Sequence, residues 1–461
     1  MPEENEFIKE FECIGKWWFY GHNEEQYCGT LQFNIKNGGE LILTKEDAFD
    51  LKNLWLQKPF IIQGYSNIGD VTLFDCKLIS TRGSIGKLST ITLKSNEGII
   101  GAHFANKDEI LIQFLAINYS YLSKWCDSFG IIPLEILFTN WDKEEIKFTF
   151  KNESKLLTSG KGYSIFLYNT IEKRGIINEL KKQIEFEENP YIGIALDNKN
   201  NLEDYQEFSD SIQYFLTIAI REQVFPLFIV GKTESNKQIK YFKKLPKTNE
   251  FSSFLVPNFS FSDIRDNMKE CMEKWLANKE KLNSVCELYF SSLNSKFNSE
   301  LRFLYVIQAV EALHRTILEK NKYIEDEEYR KEEGLYNKFI SIVEQEDIDS
   351  SFKDSLRDKL KYENEYSLRK RLKDLLKENL ELINARKSMM TDEIDDFIGR
   401  VVDTRDYYTH HDEDLKDRIL IGEKLKHASK VLTALIEIVL MSTMGLSFEK
   451  IKELRKNQHP L

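Results

Sequence analysis

The amino-acid sequence predicts an α+β multidomain protein, in which an antiparallel β-sandwich or barrel-like region precedes an all-α helical bundle. Three observations indicate this. Residues 1 to about 155 contain short runs in which apolar and polar side chains alternate, separated by glycine and asparagine. A stretch rich in proline, serine and asparagine follows the last β-like segments at 245–262. From residue 264 to residue 459 the chain has no proline, and apolar residues recur at helical spacing.

The predicted strands of the first region place apolar residues at alternate positions, which is the period of a strand with one buried face. These positions are Leu31, Phe33 and Ile35; Leu41 and Leu43; Val71 and Leu73; Ile91 and Leu93; and Ile146, Phe148 and Phe150. Turn residues separate the strands at 37–39 and 67–70. Many short strands with polar turns favour a sandwich or barrel, and Trp17 and Trp18 are expected in its core.

More strand-like sequence follows at 163–168, 191–196 and 224–230, interrupted by one amphipathic helix. The helix is indicated by Leu202, Tyr205, Phe208, Ile212, Phe215 and Ala219. Two prolines lie among the serines and asparagines of the next segment, which is typical of a domain boundary. The predicted organisation is a β-rich domain over 1–250, with two β subregions that could meet near residue 155, a linker over 251–263, and a helical domain over 264–461.

The helical domain is predicted from three apolar stripes at i, i+3 and i+4 spacing. Their members are Leu301, Leu304, Ile307, Val310 and Leu313; Leu368, Leu372, Leu375, Leu376 and Leu380; and Ile419, Leu425, Val431, Leu435, Ile438 and Val439. The most apolar stretch, 431–446, is shorter than a membrane span and includes Glu437, so we interpret it as a buried helix.

Composition restricts the classes of function. The chain is 41% hydrophobic and 30% charged, as in a globular protein, and its net charge of −11 argues against broad nonspecific binding to nucleic acid. The acidic start at 1–6 differs from a signal peptide, so we expect a cytoplasmic protein with no membrane segment. The six cysteines show no metal-ligand spacing, and we predict neither a metal nor a cofactor.

Arg405 and His410 form an Arg-x-x-x-x-His motif late in the helical domain. The pair suits metal-independent cleavage of RNA, because an imidazole moves protons near neutral pH and a guanidinium holds a phosphate by two parallel hydrogen bonds. Positions i and i+5 of an ideal helix differ by about 140°, so the two side chains cannot share a face. Either the helix ends near Tyr408 and Thr409, or two chains contribute jointly to one site.

Two further features accompany the motif. A helix at 302–313 holds Glu311 within an apolar run, and the N-terminal region combines glycines and tryptophans with strands at 15–18, 29–33 and 69–73. The motif and the helix resemble the Apea-like subgroup of the HEPN superfamily, and the N-terminal pattern is similar to the β-rich domain of ApeA-type proteins. The C-terminal domain is therefore expected to be an HEPN helical bundle.

This resemblance implies an anti-phage defence protein that cuts host RNA, with tRNA as the expected target, and so halts growth of the infected cell (abortive infection). It implies an endoribonuclease that forms a homodimer or higher homo-oligomer through the HEPN domain. It also leaves the β-rich domain to sense a phage product, such as a phage protein, or to restrain the nuclease.

Candidate roles follow for individual residues. His410 would move protons at the 2′-hydroxyl and the 5′-leaving oxygen, Arg405 would bind the scissile phosphate, and Asp406 would orient one of them. Glu311 is either a buried partner of Arg405 or a solvated edge residue. His314 could join the cleft but is expected on the helix surface. The basic residues Arg369, Lys370, Arg371 and Lys373 could guide RNA or form a solvated face.

Two other readings of the sequence stay open. The helical domain could be a non-catalytic module that dimerises or binds RNA. The chain could instead be the toxin of a toxin–antitoxin pair whose antitoxin is encoded separately.

Overall fold

The computed structural model describes residues 10–46, 59–82, 88–126, 154–178, 183–234, 236–246, 252, 255–318, 321–386 and 393–458. The chain forms two compact units, Met1–Ala277 and Asn278–Leu461. This division lies C-terminal to the linker predicted at 251–263. The boundary lies there because the helix Met268–Ala277 belongs to the first unit. Its Trp275 donates a hydrogen bond from Nε1 to the Ser211 carbonyl at 2.8 Å.

The described part of the first unit contains thirteen strands joined in one sheet. They are β1 Glu10–Phe19, β2 Tyr27–Asn34, β3 Gly38–Glu46, β4 Phe60–Ser66, β5 Gly69–Arg82, β6 Leu88–Ser95, β7 Glu97–Ile100, β8 Ile112–Tyr119, β9 Ser154–Gly160, β10 Tyr163–Asn178, β11 Gln183–Asn200, β12 Pro226–Thr233 and β13 Gln238–Lys243. Each pairing is antiparallel.

Six of these strands close into a barrel in the order β4-β1-β2-β3-β6-β5, since β5 also pairs with β4. β5 pairs with β4 and β7 through its first half and with β6 through its second half. Asp75 lies between these halves with a φ of 51°, a left-handed conformation that redirects the strand. These strands therefore form a closed barrel, which is one of the two β architectures that the sequence predicted.

The remaining strands extend the sheet from β7 in the order β13-β12-β8-β11-β10-β9. The strand segments predicted at 163–168 and 191–196 lie in β10 and β11, which form a long hairpin, and the segment predicted at 224–230 overlaps β12, which begins at Pro226. The predicted strand positions Ile146, Phe148 and Phe150 lie outside the described residues.

The barrel core contains both predicted tryptophans. Trp17 is fully buried and donates Nε1 to the Gly29 carbonyl at 3.1 Å, and Trp18 donates Nε1 to Gln63 Oε1 at 3.2 Å. Gly64 allows this packing, because a Cβ at that position would lie 2.3 Å from Trp17 Cε3. The core prediction for Trp17 and Trp18 is confirmed.

Four α-helices accompany the sheet in the described part of this unit. They are α1 Leu122–Trp125, α2 Leu202–Ile220, α3 Phe261–Ile264 and α4 Met268–Ala277. α2 matches the predicted amphipathic helix and begins with a capping box, in which Asn201 and Asp204 each accept a hydrogen bond from the other's backbone N–H. Its buried face includes Tyr205, Ile212 and Phe215.

The described part of the second unit is helical. Its helices are α5 Lys279–Ser292, α6 Ser299–Ile317, α7 Asp326–Arg330, α8 Leu335–Gln345, α9 Ser350–Tyr362, α10 Leu368–Asn384, α11 Ile394–His410, α12 Gly422–Thr443 and α13 Phe448–Asn457. The three predicted stripes lie mainly on α6, α10 and α12, and the predicted combination of a β-rich region with an α-helical bundle is confirmed.

α6 occupies the middle of the bundle and packs against α5, α10, α11 and α12. Its buried residues include Phe303, Ile307 and Val310, while Leu301, the first member of the predicted stripe, is exposed. α12 is buried over most of its length, as the apolar stretch predicted. Within the described residues, no helix combines the length and the apolar character needed to cross a membrane.

The Arg405–His410 site

The motif forms the last turns of α11. The helix includes His410, so it ends slightly beyond the predicted position. His411 closes it in the left-handed conformation (φ 54°), and its N–H donates to the Tyr407 carbonyl at 2.7 Å. Behind the motif, the buried Thr404 hydroxyl accepts a hydrogen bond from the Leu420 N–H at 2.8 Å. This bond ties the returning chain to the helix and holds the motif in place.

The Arg405 guanidinium lies between two carboxylates. Its Nη1 donates to Asp406 Oδ1 at 2.8 Å, and its Nη2 lies 3.8 Å from Glu311 Oε2 on α6. The first contact is a hydrogen bond, whereas the second is an ion pair beyond hydrogen-bond distance. The Glu311 side chain is 25% exposed, so Glu311 is a partly buried partner of Arg405. The Arg405 side chain is 33% exposed, which leaves it accessible to a ligand.

His410 is exposed at the end of the helix. Within the part of the chain that the structure describes, no group forms a hydrogen bond or an ion pair with its ring. Since the helix runs through both residues, their side chains project about 140° apart around its axis. One chain therefore directs Arg405 and His410 to different sides of α11.

The two tyrosines between Arg405 and His410, Tyr407 and Tyr408, are half-buried. Tyr408 packs edge to face on Phe303, with ring centroids 6.5 Å apart, and burial is the main cause that raises the pKa of its phenol. Tyr407 meets the ring of His411 with centroids 6.3 Å apart. A neutral phenol of raised pKa is a poor base near pH 7, so Tyr408 is poorly suited to accept a proton there.

Two family models match the chain in succession. ApeA N-terminal domain 1 matches residues 12–275, and Apea-like HEPN matches residues 304–450. The chain belongs to the ApeA family. No curated protein and no solved structure matches it. The architecture of this ApeA-type chain supports an anti-phage HEPN effector, and HEPN domains are generally RNases.

The basic residues of α10 differ from one another in their surroundings. Arg371 is fully buried: it donates Nε to the Tyr366 carbonyl at 2.9 Å and Nη1 to Asn321 Oδ1 at 2.9 Å. The predicted role of Arg371 in guiding RNA is therefore wrong. Arg371 follows Leu368 by three residues and precedes Leu375 by four, so it lies on the apolar face of α10.

The other three basic residues remain at the surface. Lys370 pairs with Asp374 at 2.6 Å, and Lys373 pairs with Asp395 at 2.8 Å. Arg369 is exposed. Whether these three contact RNA stays a prediction.

The sequence placed His314 at the helix surface, and this is also wrong. The residue is fully buried, with its Nδ1 3.2 Å from Arg371 Nη1 and its Nε2 3.7 Å from Asp374 Oδ2. Burial, followed by the nearby Arg371 charge, lowers the pKa of His314, so the ring is neutral at pH 7. It follows Val310 by four residues, which put it on the buried face of α6.

Among the described residues, no three His, Cys, Asp or Glu side chains lie close enough together to hold a metal ion.

Proposed function

We propose that this ApeA-type chain is a metal-independent endoribonuclease that cuts host RNA, with tRNA as the expected target, during phage infection and so stops growth of the infected cell. The observation that supports this most is the accessible Arg405 guanidinium, oriented by Asp406, on the same helix as an exposed His410. A fixed cation and a proton-transfer group are what cleavage through the 2′-hydroxyl requires.

The proposed reaction begins when the RNA 2′-oxygen attacks the adjacent phosphorus. A His410 imidazole accepts the 2′-hydroxyl proton, and Arg405 stabilises the additional negative charge on the phosphoryl oxygens. The bond from phosphorus to the 5′-oxygen breaks, and an imidazolium donates the proton that this oxygen needs. The products are a 2′,3′-cyclic phosphate and a 5′-hydroxyl. DNA is spared because it lacks the 2′-hydroxyl.

The orientation of the two side chains supports a site formed by two copies of the chain. A single α11 directs Arg405 and His410 about 140° apart, so one chain cannot present both to one phosphate from a single helix face. Two helices related by a twofold axis can place Arg405 of one copy beside His410 of the other. In that arrangement each site holds one Arg405 and one His410, and this His410 acts first as the base and then, as the imidazolium, as the acid.

One observation favours a second candidate, a non-catalytic HEPN module. Arg405 is flanked by two carboxylates, and such ion pairs also occur in helical bundles with a purely structural role. In that case the chain would bind RNA or dimerise without cutting.

The ends of cellular RNA distinguish these candidates. Total RNA would be sequenced from bacteria with and without the full chain, before and after challenge with a panel of phages. We expect new ends bearing 2′,3′-cyclic phosphates, concentrated in tRNA, only in infected cells that express the chain. Protection from phage without new RNA ends would favour the non-catalytic module. New ends bearing 3′-hydroxyls would overturn the proposed reaction.

A further inference from the structure

Glu311, the carboxylate beside Arg405, has a second and closer arginine. Arg315 Nη2 lies 3.1 Å from Glu311 Oε1, whereas Arg405 Nη2 lies 3.8 Å from Glu311 Oε2. Arg315 follows Glu311 by one helical turn on α6, so the short contact is a hydrogen bond between neighbours on one helix face. The negative charge of Glu311 is therefore shared, and the larger part of its hydrogen bonding goes to Arg315.

Arg315 is itself held from the other side. Its Nη1 lies 3.0 Å from Glu365 Oε2, and residue 365 is in a β-bridge with Lys322. Glu365 also lies 3.9 Å from Nη2 of the buried Arg371. The charges thus alternate from Arg405 through Glu311, Arg315 and Glu365 to Arg371.

The last member of this series of charges, Arg371, is fixed in the helical bundle. Arg371 is hydrogen-bonded to the Tyr366 carbonyl, to Asn321 and to His314, all on segments packed around α10. A buried guanidinium with three such contacts cannot move without breaking them. The fixed charge of Arg371 orients Glu365, and Glu365 in turn orients Arg315.

We infer that Arg315 is a positioning residue for the proposed cleavage, which draws Glu311 away from Arg405 and so leaves Arg405 Nη2 able to donate to the scissile phosphate. The inference rests on the proposed function. If Arg315 is absent, Glu311 loses its closer cation and can move by less than 1 Å to hydrogen-bond Arg405 directly. The carboxylate would then compete with the phosphate for the same guanidinium edge.

Arg315→Gln is expected to lower the rate of RNA cleavage roughly tenfold, a typical size for coupled neighbouring groups. Arg315→Lys keeps the positive charge and should retain most of the activity. The decisive variant is the double change Arg315→Gln with Glu311→Gln, which removes the competing charge but leaves an amide that can still contact Arg405. This double variant should cut faster than Arg315→Gln alone.

The experiment compares these full-length variants by the number of new cyclic-phosphate ends in infected cells, with thermal unfolding of each purified chain as a check on folding. Arg400→Gln is the matched control, because Arg400 also pairs with a carboxylate one turn away, Asp396 at 3.1 Å, without a link to Arg405.

Wild-type cleavage that disappears in Arg405→Ala shows that the proposed function holds. Given that result, the inference is overturned if Arg315→Gln cuts like wild type, or if the double variant cuts no faster than Arg315→Gln. If Arg315 acted only on folding, adding Glu311→Gln to Arg315→Gln would lower the RNA cleavage further instead of restoring it.

Discussion

Replacing Arg405 or His410 by alanine is expected to remove RNA cleavage and phage protection together. Loss of the imidazole removes general acid–base catalysis, which contributes roughly a hundredfold to ten-thousandfold to rate. Loss of the guanidinium removes a fixed donor to the charged transition state, an effect of roughly a hundredfold to a thousandfold. Arg405→Lys should also be impaired, because an ammonium cannot form two parallel hydrogen bonds to a phosphate. The measurement is the yield of cyclic-phosphate RNA ends after infection.

Two residues of the same helical unit provide matched controls. Arg400 is a half-exposed arginine on α11, and His427 is an exposed histidine on α12. Arg400→Ala and His427→Ala should cut RNA and protect cells like wild type. Protection that survives both Arg405→Ala and His410→Ala, with each variant folded, would show that the motif is structural.

The largest expected effect on stability comes from the buried ion pair between α12 and α13. Arg455 Nη1 lies 3.9 Å from Glu437 Oε2, and both side chains are fully buried. Glu437 also accepts a hydrogen bond from the Tyr289 hydroxyl at 2.9 Å. Arg455→Ala would leave the Glu437 charge without its cation, so we expect the free energy of unfolding to fall by about 3–5 kcal/mol.

The control for this change lies on the same helix. Lys452 pairs with Glu381 at the surface, and Lys452→Ala should leave the unfolding midpoint close to that of wild type. The double variant Arg455→Met with Glu437→Leu should be more stable than Arg455→Ala, because the buried carboxylate is removed together with the cation that faces it. Equal midpoints for Arg455→Ala and wild type would contradict this account of the bundle core.

Local sequence patterns predicted much of the fold. The alternation of Leu31, Phe33 and Ile35 predicted one buried face, and all three residues are buried, the first two in β2 and the third directly after it. The helical spacing that begins at Leu202 predicted α2. These predictions succeeded because burial repeats every two residues in a strand and every 3.6 in a helix. The closure of the barrel through β4 and β5 depends on pairing between strands, which no local pattern encodes.

The errors at the candidate site have a similar origin. Arg371 belongs to a basic run, which is typical of an exposed face, whereas the spacing from Leu368 and Leu375 places this residue on the apolar face. His314 was predicted at the surface because histidine is polar, although Ile307 and Val310 indicate the buried side of α6. Arg315 and Glu365 could not be connected from the sequence, because fifty residues separate them along the chain. Their contact exists only in the folded bundle.

Co-expression of two inactive chains tests the composite Arg405–His410 site most directly. One chain would bear Arg405→Ala and the other His410→Ala, with different affinity tags to recover mixed dimers. If each site combines Arg405 of one copy with His410 of the other, a mixed dimer keeps one intact pair, so infected cells should regain cyclic-phosphate RNA ends that neither chain produces alone. If mixed dimers are recovered and cut no RNA, while the wild-type chain does, the site proposed here is contradicted.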